Sequence, residues 1–107
     1  MYITRMLYID DLREPPKICD ISIDIARTAN HAKELLNKGH YNIVSFDHDL
    51  GEDEPTGYDI LKWMLLNEII PEEIWLHTAN PVGRGNMSQY VSCYNREMGT
   101  SIRVKSC

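Results

Sequence analysis

The sequence predicts one α/β domain built on a mostly parallel five-stranded sheet. Apolar, β-rich segments alternate along the chain with segments whose apolar residues recur at helical spacing, which is typical of parallel strands joined by helices. The chain has 107 residues, of which 43% are hydrophobic. That length is enough for one core and too short for two ordinary domains, so we treat residues 1–107 as a single domain.

The first predicted strand, residues 3–9, is apolar and stops at two consecutive acids, Asp10 and Asp11. A loop follows, because the consecutive prolines at 15–16 exclude a regular helix. Residues 21–28 begin with isoleucines at alternate positions, which predicts a second strand with one polar face.

Asn30 is the predicted N-cap of the first helix, which Gly39 ends. Residues 41–46 form the third predicted strand. Thr56, with an acid three residues later, resembles a capping box and begins a helix over about residues 57–68.

The fourth predicted strand, residues 73–76, is followed by a glycine-containing loop at 81–85. Residues 87–98 carry apolar side chains at helical spacing and predict the last helix, which Gly99 ends. Residues 102–105 form the terminal strand.

Composition excludes several classes of protein. The 11 basic and 16 acidic side chains give a net charge of −5, which argues against duplex DNA as a partner because affinity for nucleic acid depends mainly on neutralising phosphates. No apolar run approaches the roughly 20 residues that cross a bilayer, and no signal peptide is recognisable. We therefore expect a cytoplasmic protein with no membrane contact. The chain has three cysteines, an odd number, and in this compartment we expect all of them to be free thiols: Cys19, Cys93 and Cys107.

Carboxylates follow the first and third predicted strands. If those strands are neighbours, Asp10, Asp11 and Asp47 converge at one edge of the sheet, where ligands of such folds bind. Ionised carboxylates that lie close together repel one another, and a magnesium ion bound between them offsets this repulsion. The candidate metal ligands are therefore these three, with Asp49 beside them. The alternative is ordinary turn chemistry, because aspartate readily bonds nearby backbone amides.

Two histidines also follow strands. His48 and His77 are candidate proton-transfer groups that would act with Asp47 in catalysis, because a pair of imidazoles can divide the roles of general base and general acid near pH 7. The alternative is that each is a hydrogen-bonded structural histidine. Nucleophilic Ser-His-Asp catalysis is not supported, because the chain lacks a G-x-S-x-G motif.

The segment before the last predicted helix is a candidate phosphate site. Gly83 allows close backbone approach, Arg84 supplies a cation, and a helix N-terminus attracts anions. Arg13, which follows the acidic pair, is a second candidate cation for phosphate. The alternative is an ordinary turn before a helix.

With Asp10, Asp11, Asp47 and Thr78 at strand ends, the chain resembles the receiver domains of two-component signalling. The resemblance implies a flavodoxin-like, three-layer sandwich in which a loop replaces the first helix and the last helix is missing. It also implies that the acidic pair binds magnesium, that Asp47 accepts a phosphoryl group, and that Lys105 contacts that group.

The chain more closely resembles the cyclic-phosphate processing receiver domains. The resemblance lies in three segments: Asp10-Asp11-x-Arg13-x-Pro15, Phe46-Asp47-His48-Asp49-Leu50-Gly51, and His77-Thr78-Ala79-Asn80-Pro81-Val82-Gly83-Arg84-x-Asn86-Met87. It implies a metal-assisted role on cyclic phosphates of RNA ends or nucleotides.

The sequence thus supports two hypotheses. The first is a magnesium-dependent phosphoesterase, an enzyme that processes a cyclic phosphate. Its candidate phosphate-binding residues are Arg13, Asn80, Gly83, Arg84, Asn86 and Lys105. The second is a non-catalytic module that accepts a phosphoryl group at Asp47 or sequesters a nucleotide.

Overall fold

The computed structural model describes residues 3–107 and contains a five-stranded, fully parallel sheet with three helices. The sheet order is β2-β1-β3-β4-β5. In chain order the elements are β1 (Thr4–Ile9), β2 (Ile21–Ala26), α1 (Ala29–Lys38), β3 (Ile43–Phe46), α2 (Gly57–Leu66), β4 (Glu73–Leu76), α3 (Pro81–Met98) and β5 (Arg103–Ser106).

The strand order brings three loops together. The chain winds from β1 to one side to form β2 and then to the other side to form β3, so the direction of winding reverses between β1 and β3. Ile9 pairs with Phe46, and Phe46 pairs with Leu76, so these three strands end level with one another. The residues that follow them therefore lie in one row at the carboxyl edge, where open parallel sheets bind ligands.

All three helices pack on one face of the sheet. Buried residues of α1, α2 and α3 share one core with alternate residues of the strands, including Leu7 and Ile9 of β1. The connections from β2 to β3, β3 to β4 and β4 to β5 all run in the same direction across the sheet. Right-handed crossovers in one direction place their helices on one face.

The opposite face has no helix within residues 3–107. Met6, Tyr8 and Ile43 are buried there, and Ile18 of the β1–β2 loop and Trp75 pack against them. The β1–β2 connection runs in the opposite direction, so a right-handed helix in it would lie on this face, but it is a loop, as the prolines predicted. The predicted flavodoxin-like fold, in which a loop replaces the first helix, is therefore confirmed, and that loop forms the layer opposite the three helices.

Two boundaries differ from the sequence prediction. Thr28, not Asn30, is the N-cap of α1, because its hydroxyl accepts a hydrogen bond from the N–H of His31 at 3.1 Å. Residues 81–85 are not a loop but the first turn and a half of α3, because Pro81 suits the first position of a helix. The capping box at Thr56 is confirmed. Within residues 3–107, no helix combines the length and hydrophobicity needed to cross a bilayer.

Candidate metal and phosphate site

An acidic cluster lies at the carboxyl edge of the sheet. One carboxylate oxygen from each of Asp10, Asp11 and Asp47 lies within 4.8 Å of the others. Asp10 and Asp47 are buried, and Asp11 is partly exposed. The side chains of Asp10 and Asp47 point to the helix-free face, because they continue the alternation of Tyr8 on β1 and Ser45 on β3. The predicted convergence of the two loops is confirmed by this geometry.

Arg13 lies against the cluster. Its Nε is 3.0 Å from Asp10 Oδ2, and its Nη2 is 3.4 Å from Asp47 Oδ1. Burial acts to raise the pKa of Asp10, but hydrogen bonds from the N–H groups of Arg13 and Leu12 and the charge of the guanidinium outweigh it, so the pKa is lowered. Asp10 therefore stays ionised at neutral pH.

His77 is held on three sides. Its Nε2 lies 3.1 Å from Asp10 Oδ2, its Nδ1 lies 2.7 Å from the hydroxyl of Ser45, and its ring stacks on Tyr8 with centroids 4.3 Å apart. An ionised carboxylate only accepts hydrogen bonds, so Nε2 carries the proton and Ser45 donates to Nδ1. Both ring nitrogens are thus engaged, and the imidazole orients Asp10.

His77 should make the fold sensitive to mild acid. Burial lowers the pKa of His77 below its ordinary value of 6.5, despite the opposing charge of Asp10. The unfolded chain therefore takes up this proton at a higher pH than the folded one, so stability falls as the pH drops below about 6.5, by at most about 1.4 kcal/mol per pH unit. We expect His77→Gln to lose less free energy of unfolding between pH 7 and pH 5 than the wild type, measured by urea denaturation. His31→Gln, at an exposed histidine, is the control, and an equal loss in all three proteins would contradict the assignment.

His48 follows Asp47 in the chain, and its ring lies in a different environment, against Gly83 of α3. Its Nδ1 is 3.1 Å from Asp49 Oδ1, and within residues 3–107 its Nε2 makes no hydrogen bond. Asp49 is exposed and does not belong to the acidic cluster, so its carboxylate orients His48 instead of completing the predicted ligand set. The amide nitrogen of Asn80 also lies 3.5 Å from Nδ1, but the contact with Asp49 is shorter. With Nδ1 donating to Asp49, the neutral ring leaves a lone pair on Nε2 that can accept a proton.

Most backbone donors at the N-terminus of α3, the predicted phosphate site, already have hydrogen-bond partners. The side-chain oxygen of Asn80 accepts from the N–H of Gly83 at 3.0 Å, and its backbone oxygen accepts from the N–H of Arg84 at 2.9 Å. Pro81 has no N–H, so only the N–H of Val82 remains for an anion in this turn. The side chain of Arg84 donates to the carbonyl of Thr78 at 3.0 Å, which holds the guanidinium at this edge of the sheet.

Gly83 is needed for close packing. A Cβ atom at this position would lie 2.4 Å from both Cγ and Cδ2 of His48, whereas one at Gly85 would meet nothing within 4 Å. We expect Gly83→Ala to displace the imidazole and cost roughly 1–3 kcal/mol of stability. Gly85→Ala is the matched control and should gain about 0.5–1 kcal/mol from helix propensity. Thermal denaturation and the NMR shifts of His48 measure both effects, and an unmoved imidazole in Gly83→Ala would refute the packing role.

Among residues 3–107, two predicted phosphate ligands make no hydrogen bond with the acidic cluster. Lys105 places its Nζ 4.3 Å from the centroid of Trp75, its neighbour in the register of β4 and β5. Its ammonium is directed to an aromatic face and not to the carboxylates. Asn86 is exposed in the second turn of α3.

Comparison with known proteins agrees with this architecture. The sequence profile of the cyclic-phosphate processing receiver domain matches residues 5–92. The chain belongs to this family. No protein of curated function matches it in sequence.

Solved structures confirm the receiver-like fold of this cyclic-phosphate processing receiver domain. The response regulator TrrA of Thermotoga maritima, in complex with Mg²⁺-BeF, is 17% identical with a TM-score of 0.66, and the match covers 98% of this chain and 88% of that one. A CheY-like response regulator receiver domain from Methanospirillum hungatei JF-1 is also 17% identical with a TM-score of 0.54, covering 97% and 82%. At this identity the likeness establishes the α/β, flavodoxin-like fold.

Sequence reasoning missed three residues that shape the site of this receiver domain. Ser45 and Tyr8 fix the ring of His77, and Arg27 donates to the backbone oxygens of Asp10 and Arg13 at 3.2 and 2.6 Å. Ser45 and Tyr8 each precede a predicted ligand by two positions, so strand alternation alone places them on the same face. No local signal points to Arg27.

Proposed function

We propose that this domain is a metal-assisted phosphoesterase that processes a cyclic phosphate of a nucleotide or RNA end. The observation that carries the proposal is the cluster of three carboxylates, with His48 next to Asp47 in the chain and its Nε2 free of hydrogen bonds among residues 3–107. Family membership supports the choice of a cyclic phosphate. We accordingly propose that the domain binds a small phosphate ester and does not bind duplex DNA.

The donor set suits a magnesium ion. Asp10, Asp11 and Asp47 offer hard oxygen ligands on one edge, and magnesium favours carboxylates together with water and substrate phosphate oxygens. When bound, the ion would polarise a phosphoryl oxygen as a Lewis acid. A response regulator with this fold has been solved in complex with Mg²⁺-BeF, which supports a divalent cation as the ligand of this domain.

The surrounding side chains divide the remaining tasks. His48 is the proposed proton acceptor, because Asp49 holds Nδ1 and leaves the lone pair of Nε2 available. His77 keeps Asp10 in place and is a positioning residue. Arg84 and Arg13 are the proposed contacts of the phosphate, since a guanidinium can donate two parallel hydrogen bonds to its oxygens.

A turnover screen tests this function. The intact domain is incubated with linear and 2′,3′- and 3′,5′-cyclic nucleotides and with RNA bearing a 2′,3′-cyclic phosphate end, with magnesium or with EDTA. We expect opening of a cyclic phosphate that depends on magnesium, detected by chromatography and phosphorus NMR. No product from any cyclic phosphate at high protein concentration would refute the proposal.

The alternative is a non-catalytic module. It is favoured by the position of Asp47, a buried aspartate directly after β3 in a receiver-like fold. A phosphoacceptor would gain the mass of one phosphoryl group from acetyl phosphate, and Asp47→Asn would abolish that gain. Tight nucleotide binding without product would instead indicate sequestration.

We also propose a cytoplasmic location. Cys19, Cys93 and Cys107 are all free, which suits a reducing compartment.

A further inference from the structure

Asp10 has no lone pair to spare in this structure. Its Oδ1 accepts from the N–H groups of Leu12 and Arg13, both at 2.9 Å. Its Oδ2 accepts from Arg13 Nε at 3.0 Å and faces His77 Nε2 at 3.1 Å. A carboxylate offers about four lone-pair sites, so one of these donors must leave before Asp10 can ligate a cation.

Arg13 is the donor that can leave. His77 is fixed by Ser45 and Tyr8 and is nearly buried, whereas the side chain of Arg13 is 50% exposed. The two backbone donors belong to the turn itself. Release of the guanidinium thus costs its ion pairs with Asp10 and Asp47 and its hydrogen bond to the carbonyl of His77, all made by a side chain that is half exposed to solvent.

The main chain at Arg13 is anchored independently of its guanidinium. Arg27 donates to the carbonyl of Arg13 at 2.6 Å and bonds Glu14 at 2.6 Å. The N–H of Arg13 is held by Asp10 Oδ1. The side chain can therefore turn while the loop keeps its place.

The guanidinium also bridges two carboxylates of the cluster. It contacts Asp10 and Asp47 together, at 3.0 and 3.4 Å, and donates to the carbonyl of His77 at 3.1 Å. A positive group that bridges two of the three clustered carboxylates relieves their mutual repulsion. A divalent ion held by these carboxylates would relieve the same repulsion.

We propose that Arg13 is an exchangeable counter-cation: it neutralises Asp10 and Asp47 without metal, and leaves them for the substrate phosphate when a divalent cation binds. This inference rests on the metal site of the proposed function. It orders the two events, because Arg13 becomes available to an anion only after the cation has taken its place. Phosphate binding by Arg13 and metal binding are thereby coupled.

Magnesium titration tests the exchange. By calorimetry at constant ionic strength, we expect Arg13→Gln to bind Mg²⁺ roughly tenfold more tightly than the wild type, as expected from removal of a competing charged hydrogen bond that is partly screened by solvent. Arg103→Gln is the matched control, since it removes the same charge at an exposed surface pair with Glu73. Its affinity should stay within about twofold of the wild type.

The wild type provides a second readout that needs no variant. The Nε–H resonance of Arg13, held by Asp10 without metal, should shift when saturating Mg²⁺ is added. An unchanged resonance at saturation, or equal or weaker Mg²⁺ affinity in Arg13→Gln, would overturn the exchange while leaving the metal site standing. Absence of Mg²⁺ binding in all three proteins would overturn the metal site itself, and the inference with it.

Discussion

Replacing Asp47 with asparagine is expected to reduce magnesium-dependent opening of a cyclic phosphate by at least about 100-fold, because a charged ligand is lost from the centre of the site. Asp47 is buried beside Asp10, and its Oδ1 also accepts from the N–H of His48 at 2.8 Å. The amide oxygen of asparagine can keep that hydrogen bond, so the fold should survive. Turnover is measured by chromatography, and folding by circular dichroism.

The matched control for this substitution is Asp53→Asn. Asp53 is exposed in the β3–α2 loop with φ of 59°, a conformation that asparagine also tolerates. This variant removes the same charge outside the acidic cluster and should retain wild-type turnover. Undiminished activity in a folded Asp47→Asn protein would exclude Asp47 from the chemistry.

The largest effect on stability is expected from Gly57→Ala. Gly57 is the first residue of α2, and a Cβ atom there would lie 1.8 Å from the backbone oxygen of Asp47 and 2.9 Å from its carbonyl carbon. Backbone cannot move aside as a side chain can, so the substitution forces α2 away from the loop that carries Asp47 and His48. We expect a loss of about 3 kcal/mol or more, at the upper end of overpacking costs.

Chemical denaturation measures this loss, with Gly39→Ala as the control. A Cβ atom at Gly39 would meet only the flexible end of Arg5, at 3.3 Å. Its backbone has a negative φ of −136°, so alanine is not strained there. The control should change stability by less than about 1 kcal/mol. Equal stability of the two variants would contradict the close contact.

Strand alternation and strand-end residues made the carboxyl edge of the sheet predictable. Asp10, Asp47 and His77 each follow an apolar strand, and parallel strands place such residues at one edge. The prolines of the β1–β2 connection excluded a helix, which the structure confirms. The capping pattern at Thr56 also located the start of α2 correctly. These features depend on neighbours close in sequence.

The error at α3 has a local cause as well. Gly83 and Gly85 favoured a loop, but Asn80 caps the helix and Pro81 suits its first turn. Gly83 is present for a contact with His48, which lies 35 positions earlier in the chain. Glycine in a sequence does not reveal whether a ligand or another side chain approaches it.

The sequence by itself determined the strands, the missing helix after β1 and the set of polar residues at their ends, because periodicity and turn chemistry act between near neighbours. Only the tertiary structure decided what those residues contact. Arg13 contacts both Asp10 and Asp47, and both ring nitrogens of His77 have hydrogen-bond partners. Asp49 and Lys105 do not belong to the acidic cluster. Hydrogen bonds and ion pairs between distant segments depend on side-chain direction and distance, which no local pattern contains.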